Sequence, residues 1–358
     1  MRKLRVGIIG VGGIANGKHM PALAKIPEVE MVAFCDLIRE RAEKGAKQYG
    51  TPDAKVYTDY RDLIARDDID VVHVCTTNDA HSYITIAALE SGKHVMCEKP
   101  MAKSAEEARK MVETAEKTGK KLTIGYQNRY RADALHLKKL CDEGLLGEIY
   151  FAKALAVRRR AVPTWGSFLD KERQGGGPLI DIATHALDLV LFMMNNYEPV
   201  MAVGTTYHKL GKKANAANAW GPWDPAKFTV EDSAFGFVTF KNGATVIVES
   251  SWALNTLQVG EAMYVLCGTE AGADNLDGLR INGEEHGRLY TKTVELKSGG
   301  VAYYEGANQD PSYLEARMWI DAILNDTDVY VKPREALVVT EILEGIYRSA
   351  ESGKPYYF

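Results

Sequence analysis

The most restrictive feature of this 358-residue chain is a glycine-rich turn that begins at Gly10. Leu4–Ile9 is a compact apolar run, which suits a strand buried on both faces. Gly10-Val11-Gly12-Gly13-Ile14-Ala15 follows, a GxGxxA pattern leading into helical sequence. In a strand–turn–helix unit each small residue has a mechanical reason. Gly10 permits the tight turn, Gly12 lets the backbone approach a pyrophosphate, and Ala15 lets the helix pack closely on the strand. The helix start then offers N–H groups and a positive dipole end to phosphates. Gly10, Gly12, Gly13, Ile14 and Ala15 are therefore the expected cradle of a dinucleotide. Asp36 stands at the end of the second apolar run, 26 residues after Gly10. An acid there accepts hydrogen bonds from ribose hydroxyls and repels a 2′-phosphate, which favours NAD. The other reading of Asp36 is a helix cap for the stretch beginning near Arg39. Arg39 and Arg41 leave room for NADP.

The same alternation continues through the first third of the chain. Met31–Cys35, Val71–Cys75, His94–Cys97 and Leu122–Ile124 read as buried strands. Between them lie the helical patterns Arg39–Tyr49, Ala80–Ser91 and Ala105–Thr118. This predicts a parallel sheet with right-handed crossovers, a Rossmann-type α/β domain over residues 1–126. The character changes after Tyr126. A helix is expected over Ala132–Asp142 and a strand over Ile149–Val157. Gly175-Gly176-Gly177-Pro178 then opens a helical stretch to about Asn195. From Val200 to about Leu296 the pattern is mostly strand, with a hairpin signal at Lys241-Asn242-Gly243. Two helices, roughly Ser312–Asn325 and Arg334–Glu351, close the chain. Residues 127–358 thus read as a second, α+β domain built on an antiparallel sheet.

Composition narrows the partners. With 44 Lys and Arg against 48 Asp and Glu, the net charge is −4, so nucleic acid and anionic membrane are not expected. The longest apolar run, Leu189–Met194, is too short for a bilayer, which needs about 20 residues. Five scattered cysteines without CxxC spacing read as reduced thiols, and the start of the chain carries no leader-like core. A cytoplasmic location is the expectation.

Two further segments fall at strand ends, where ligands bind in open α/β sheets. They are Thr76-Thr77-Asn78-Asp79-Ala80-His81 and Glu98-Lys99-Pro100, in which the Lys99–Pro100 bond is a candidate cis peptide. Helix capping by Thr77, Asn78 and Asp79 and a plain surface turn are the alternatives. With these segments, Gln127-Asn128-Arg129-Tyr130 and Gly175–His185 in this order, nearly the whole chain resembles the glucose–fructose oxidoreductase/inositol 2-dehydrogenase (Gfo/Idh/MocA) family. The resemblance implies a Rossmann domain followed by a domain with an open, mostly antiparallel sheet. It also implies assembly into homodimers or homotetramers through that sheet. It implies a catalytic set of Lys99, Asp181 and His185. Thr76, Asn78, His81 and Glu98 are then expected to line the cofactor, together with Thr77, Arg39 and Lys99, and Gln127 to lie near the nicotinamide ribose.

The residue types suit transfer of a hydride to or from a secondary alcohol of a sugar, inositol or related polyol. Asp181 and His185, four apart on a predicted helix, project from one face, with Asp188 three further on. Histidine can take the hydroxyl proton as the hydride leaves. Asp181 would hold the imidazole or a neighbouring hydroxyl, and Lys99 would stabilise the developing alkoxide. An ordinary surface pair of Asp181 and His185 is one alternative. A metal site is another, but no third ligand is evident and none is expected. Arg129, Trp165 and Tyr313 are further substrate candidates. Arg158–Arg160 and Trp220-Gly221-Pro222-Trp223-Asp224 adjoin loops as well, with core packing or a subunit interface as the competing readings. Two other functions remain at this point, a glycosidase that oxidises its sugar transiently through bound NAD, and a non-enzymatic NAD-binding regulator.

Overall fold

Apolar runs that bury both faces become the strands of a parallel sheet. In the computed structural model, which describes residues 3–296 and 310–358, they are β1 (Leu4–Ile9), β2 (Val29–Cys35), β3 (Lys55–Tyr57), β4 (Val71–Val74), β5 (His94–Cys97) and β6 (Leu122–Ile124). Their spatial order is β3-β2-β1-β4-β5-β6, and every neighbouring pair is parallel. This is the doubly wound Rossmann order, and it reverses between β1 and β4, the point where such sheets receive ligands at their carboxyl ends. Local chemistry fixes the crossover helices. Ala105–Thr118, for example, starts where the Ser104 hydroxyl accepts the Glu107 N–H and ends on Gly119 at a φ of 65°.

The chain divides into two compact units, Met1–Gln127 with Gln309–Leu337, and Asn128–Asn308 with Val338–Phe358. This corrects the expectation of one continuous second domain over 127–358. The helix Pro311–Leu324 belongs to the first unit because Ala316, Trp319 and Ile320 share its core with Val6, Ile8, Phe34, Val71 and Met96. An amphipathic pattern shows that a helix packs on something, but not on what.

Among the described residues the second unit is built on nine strands, β7 (Ile149–Val157), β8 (Pro199–Tyr207), β9 (Ser233–Phe240), β10 (Thr245–Ser251), β11 (Gly260–Gly268), β12 (Ala271–Asp274), β13 (Arg280–Glu285), β14 (Arg288–Thr293) and β15 (Tyr356–Tyr357). Their order is β14-β13-β12-β11-β7-β10-β9-β8-β15. Only β7 and β10 pair in parallel, so the sheet is mostly antiparallel. β9 and β10 form the expected hairpin, with Gly243 at a φ of 87°. Residues of the C-terminal helix lie very close to β8 and β9. Gly204 and Gly236 pair across these strands, and a Cβ on either would come within 2.5 Å of the Ile346 side chain. On alternate positions Val203 and Phe237, also cross-strand partners, are exposed. Among the described residues one helical stretch, Lys171–Met194, is long and apolar enough to cross a membrane, but 89% of its most apolar 18-residue window is buried inside the protein, as in a core helix.

Candidate active site

The glycine turn at the end of β1 has the shape a dinucleotide requires. Gly10 has a φ of 88°, and a Cβ there would stand 2.5 Å from the Cys75 carbonyl oxygen. No side chain fits between the ends of β1 and β4 at this point. A Cβ on Gly12 or Gly13 would meet nothing within 4 Å, so the backbone is open where a pyrophosphate approaches. Ala15 is fully buried under the helix, whereas Ile14 is exposed. Asp36 accepts hydrogen bonds from Val11 N–H at 2.8 Å and Ile38 N–H at 2.9 Å. Each carboxylate oxygen keeps a second acceptor site. Asp36 therefore both braces the turn and can receive ribose hydroxyls. Arg39, from the same stretch, is exposed and paired with Glu43. These residues fit NAD, whose pyrophosphate the turn would hold and whose ribose Asp36 would hold.

Beneath this turn lies a buried charge network that the sequence reading missed. The helix after Gly13 contains a π-turn over Ala15–His19, which brings Lys18 and His19 into the interior. Lys18 Nζ donates to Glu98 Oε1 at 2.7 Å and reaches Glu315 Oε2 at 2.8 Å. His19 Nε2 lies 2.8 Å from the same Glu98 oxygen, and His19 Nδ1 lies 3.0 Å from His73 Nδ1. Glu98 Oε2 accepts the Lys99 N–H at 3.0 Å. Burial would raise the Glu98 carboxyl, but Lys18 and His19 hold it well below the usual carboxylate range. Burial would likewise lower Lys18, yet Glu315 and Glu98 outweigh it and raise the ammonium above its ordinary value. One ammonium balances one carboxylate. Glu98, with three donors, keeps its charge. Glu315, whose Oε1 is buried without a partner, is the carboxyl that burial pushes upward. Burial holds the His73 imidazole neutral, and the neighbouring His19 and Lys18 reinforce this.

These contacts revise the roles of two expected cofactor residues. Glu98 is 4% exposed and His81 is 1% exposed, so both also act as interior supports. His81 Nδ1 is 2.8 Å from the Pro100 carbonyl and Nε2 is 3.2 Å from the Thr76 carbonyl. Burial lowers its imidazole, so a neutral ring donates from Nδ1 and ties the β4 and β5 ends together. The Lys99–Pro100 peptide is cis. Lys99, Thr76, Thr77 and Asn78 remain partly exposed at these strand ends, and Gln127 is partly exposed in a short 3₁₀ turn. Thr77 precedes the helix Asn78–Glu90 without a side-chain cap bond. Tyr313 packs against the core of this unit from the helix Pro311–Leu324.

A depression of about 430 Å³ lined by Asp67, Asp70, Lys93, His94 and Lys120 lies at the opposite, amino ends of β1, β4 and β5. It has no part in this chemistry.

In the second unit the helix bearing Asp181 and His185 is less regular than four-residue spacing predicts. Leu179–Ala183 is a π-turn, and the α-helix Thr184–Met194 follows. Asp181 is buried and its Oδ2 accepts a hydrogen bond from Trp252 Nε1 at 3.2 Å, while His185 is partly exposed. A solvated surface pair is thereby excluded. Asp188 and Arg129 are fully buried and joined by a bidentate ion pair, with Nη2 2.6 Å from Oδ1. The Arg129 guanidinium also lies 4.5 Å from the Phe192 ring centre. Arg129 is therefore a brace for this helix. Glu231, also unforeseen, receives Gly177 N–H at 2.8 Å, Leu179 N–H at 3.2 Å and the Tyr347 hydroxyl at 2.8 Å. It satisfies the helix start that would otherwise be orphaned. Gly177 is obligatory here, because a Cβ would stand 2.2 Å from the Glu231 carbonyl oxygen. Arg158 is engaged by Glu261, and Arg160 by the Leu254 carbonyl and Asn255. Among the described residues no group of three or more His, Cys, Asp or Glu is arranged to hold a metal.

The comparisons with known proteins agree with this geometry. Residues 4–126 match the NAD-binding Rossmann domain of an oxidoreductase family, and residues 134–274 match the Gfo/Idh/MocA C-terminal domain. D-glucoside 3-dehydrogenase of Escherichia coli K12 is 35% identical over 351 residues, covering 98% of this chain and 96% of that protein. The aldose–aldose oxidoreductase of Caulobacter crescentus, solved with glycerol, superposes over the full length of both chains with a TM-score of 0.80 at 25% identity. Levoglucosan dehydrogenase, solved with NADH, has the same fold, with a TM-score of 0.83 over 99% of each chain at 22% identity. With both units matched in sequence and the glycine turn, strand order and mixed sheet in place, this chain belongs to the Gfo/Idh/MocA family of NAD-binding oxidoreductases.

Proposed function

We propose that this enzyme oxidises a secondary hydroxyl of a sugar or cyclic polyol, or reduces the matching ketone, with NAD. The observation that carries the reading is Lys99. It stands at the same sheet end as the glycine turn, with its amide anchored by a buried carboxylate. NAD, when bound, accepts or returns the hydride. Lys99 stabilises the charge that develops on the substrate oxygen. His185 takes the hydroxyl proton during oxidation and returns it during reduction. Asp181, fixed by the Trp252 indole, orients the imidazole or a neighbouring hydroxyl. The relatives named above are dehydrogenases and an oxidoreductase, and no observation favours a glycosidase or a regulator.

Two finer points belong to the same reading. The exposed apolar row that includes Val203 and Phe237 suits assembly of homodimers or homotetramers through the sheet of the second unit. The free thiols Cys35, Cys75 and Cys97, all buried, suit the reducing cytoplasm.

The test is a panel of sugars, glycosides and inositols with NAD and NADP, read at 340 nm. On the best substrate, Lys99→Ala and His185→Ala each lower kcat by about 10²–10⁴-fold with little change in NAD affinity. Near-normal turnover in both variants would refute the assignment.

A further inference from the structure

A row of aromatic rings in the second unit leads from Asp181 to solvent. Trp252, fully buried, donates its Nε1–H to Asp181. The Phe168 ring lies 6.3 Å from Trp252, Trp165 lies 5.9 Å from Phe168, and Trp220 lies 5.0 Å from Trp165. The first member is core. The last two are not, since Trp165 is 53% exposed and Trp220 is 42% exposed. Large apolar rings held at the surface cost solvation without adding to the core, so their rigidity needs another explanation.

They are held rigidly. The Thr164 hydroxyl donates to the Trp220 carbonyl at 2.7 Å, joining the two loops. Asn218 clamps Val162 from both sides, accepting its N–H at 2.8 Å and donating to its carbonyl at 3.0 Å. The Arg158 guanidinium lies 5.0 Å from the Trp220 ring centre and is itself fixed by Glu261. The loops that carry the two indoles are thus held, and the rings meet edge to face at 71°, which lowers the entropic cost of receiving a ring there. The Arg159 side chain is exposed on the neighbouring stretch and offers donors to hydroxyls.

We propose that Trp165 and Trp220 receive a second sugar ring, glycosidically joined to the one that is oxidised, so that the preferred substrate is a disaccharide. This deepens the function proposed above and rests on it. The apolar face of a pyranose stacks on indole, and the polar rim takes its hydroxyls. The row of rings places the platform two ring contacts from the indole that grips Asp181, and the occupant proposed for it is the ring next to the reacting sugar.

The experiment compares methyl glucoside, a 1,4-linked glucosyl disaccharide and p-nitrophenyl glucoside in the wild type, Trp165→Ala and Trp220→Phe. Melting temperature and oligomeric state are measured on each variant. The proposal expects the disaccharide to have the highest kcat/KM. Trp165→Ala should lower that value by about tenfold and leave methyl glucoside within about twofold. Disaccharide binding followed by tryptophan fluorescence should weaken in parallel, independently of turnover. An equal loss for all three substrates, a loss confined to p-nitrophenyl glucoside, or dissociation of an oligomer would each overturn it. A wild type that oxidises no sugar or glycoside would sink the underlying function, whereas the other failures leave it intact.

Discussion

Replacing Lys18 by methionine keeps the length and apolar stem of the side chain and removes only its charge. Both carboxyls that the ammonium serves are almost fully buried, at 4% exposure for Glu98 and 2% for Glu315. Removing one member of a buried ion pair costs about 3–5 kcal/mol, because the remaining charge is left in a poorly solvating interior. Here the cost depends on pH in a defined direction. Without Lys18, burial acts on both carboxyls, with only His19 and the Lys99 N–H, both on Glu98, to oppose it. Their folded pKa values then lie above the unfolded value of about 4.3. A carboxyl raised in the folded state favours folding fully below its unfolded value, and that contribution is lost as pH rises through the folded one. The deficit of Lys18→Met relative to wild type is therefore small near pH 5 and reaches about 3–5 kcal/mol near pH 8. Urea unfolding followed by circular dichroism, with linear extrapolation at each pH, gives the numbers. Adding Glu315→Gln to the variant should recover part of the loss, since Glu98 then has His19 as its partner. A deficit below about 1 kcal/mol, or one that does not change with pH, would mean that the network is solvated and that the reasoning is wrong.

The neighbouring substitutions have smaller or sharper effects. Glu98→Gln should cost less than Lys18→Met, because Glu315 remains to balance Lys18. In the wild type the depressed Glu98 carboxyl contributes stability above about pH 4.3 that is lost as pH falls. Acid titration of stability should accordingly be shallower in Glu98→Gln. Gly10→Ala puts a methyl 2.5 Å from the Cys75 carbonyl at a φ that alanine resists, so NAD affinity measured by calorimetry should fall by more than about tenfold. Glu231→Leu strands two backbone N–H groups and the Tyr347 hydroxyl, at about 1–3 kcal/mol each, and should lower both Tm and kcat. A Tm within a degree of wild type would show that water replaces the carboxylate.

The sequence was most readable where a physical constraint is local. Buried parallel strands need unbroken apolar runs, so β1, β5 and β6 begin and end where their composition predicts. The strand β3, three residues at the sheet edge, has no such run and was not foreseen. The glycine turn was legible because steric demands act on consecutive residues. Partners far apart were not. Nothing near Glu315 points to Lys18, and nothing near Glu231 points to Gly177, because those pairings exist only once the sheets are assembled. Polarity also misled in one respect. Within a motif, a side chain that meets the ligand and one that braces the loop look alike, so the bracing done by the buried Glu98, His81 and Arg129 could not be read from their polarity.

The discontinuity of the first unit bears on how the protein is made. Its sheet is complete once Ile124 has been synthesised, yet Glu315, Ala316, Trp319 and Ile320 reach a growing chain almost two hundred residues later. Until then Lys18 has one carboxyl where the finished protein has two, and a patch of the apolar interior is bare. On the ribosome, the half that is translated first must therefore be the half that finishes last. A fragment ending at residue 126 should aggregate, and one supplied with the helix Pro311–Leu324 should remain dispersed.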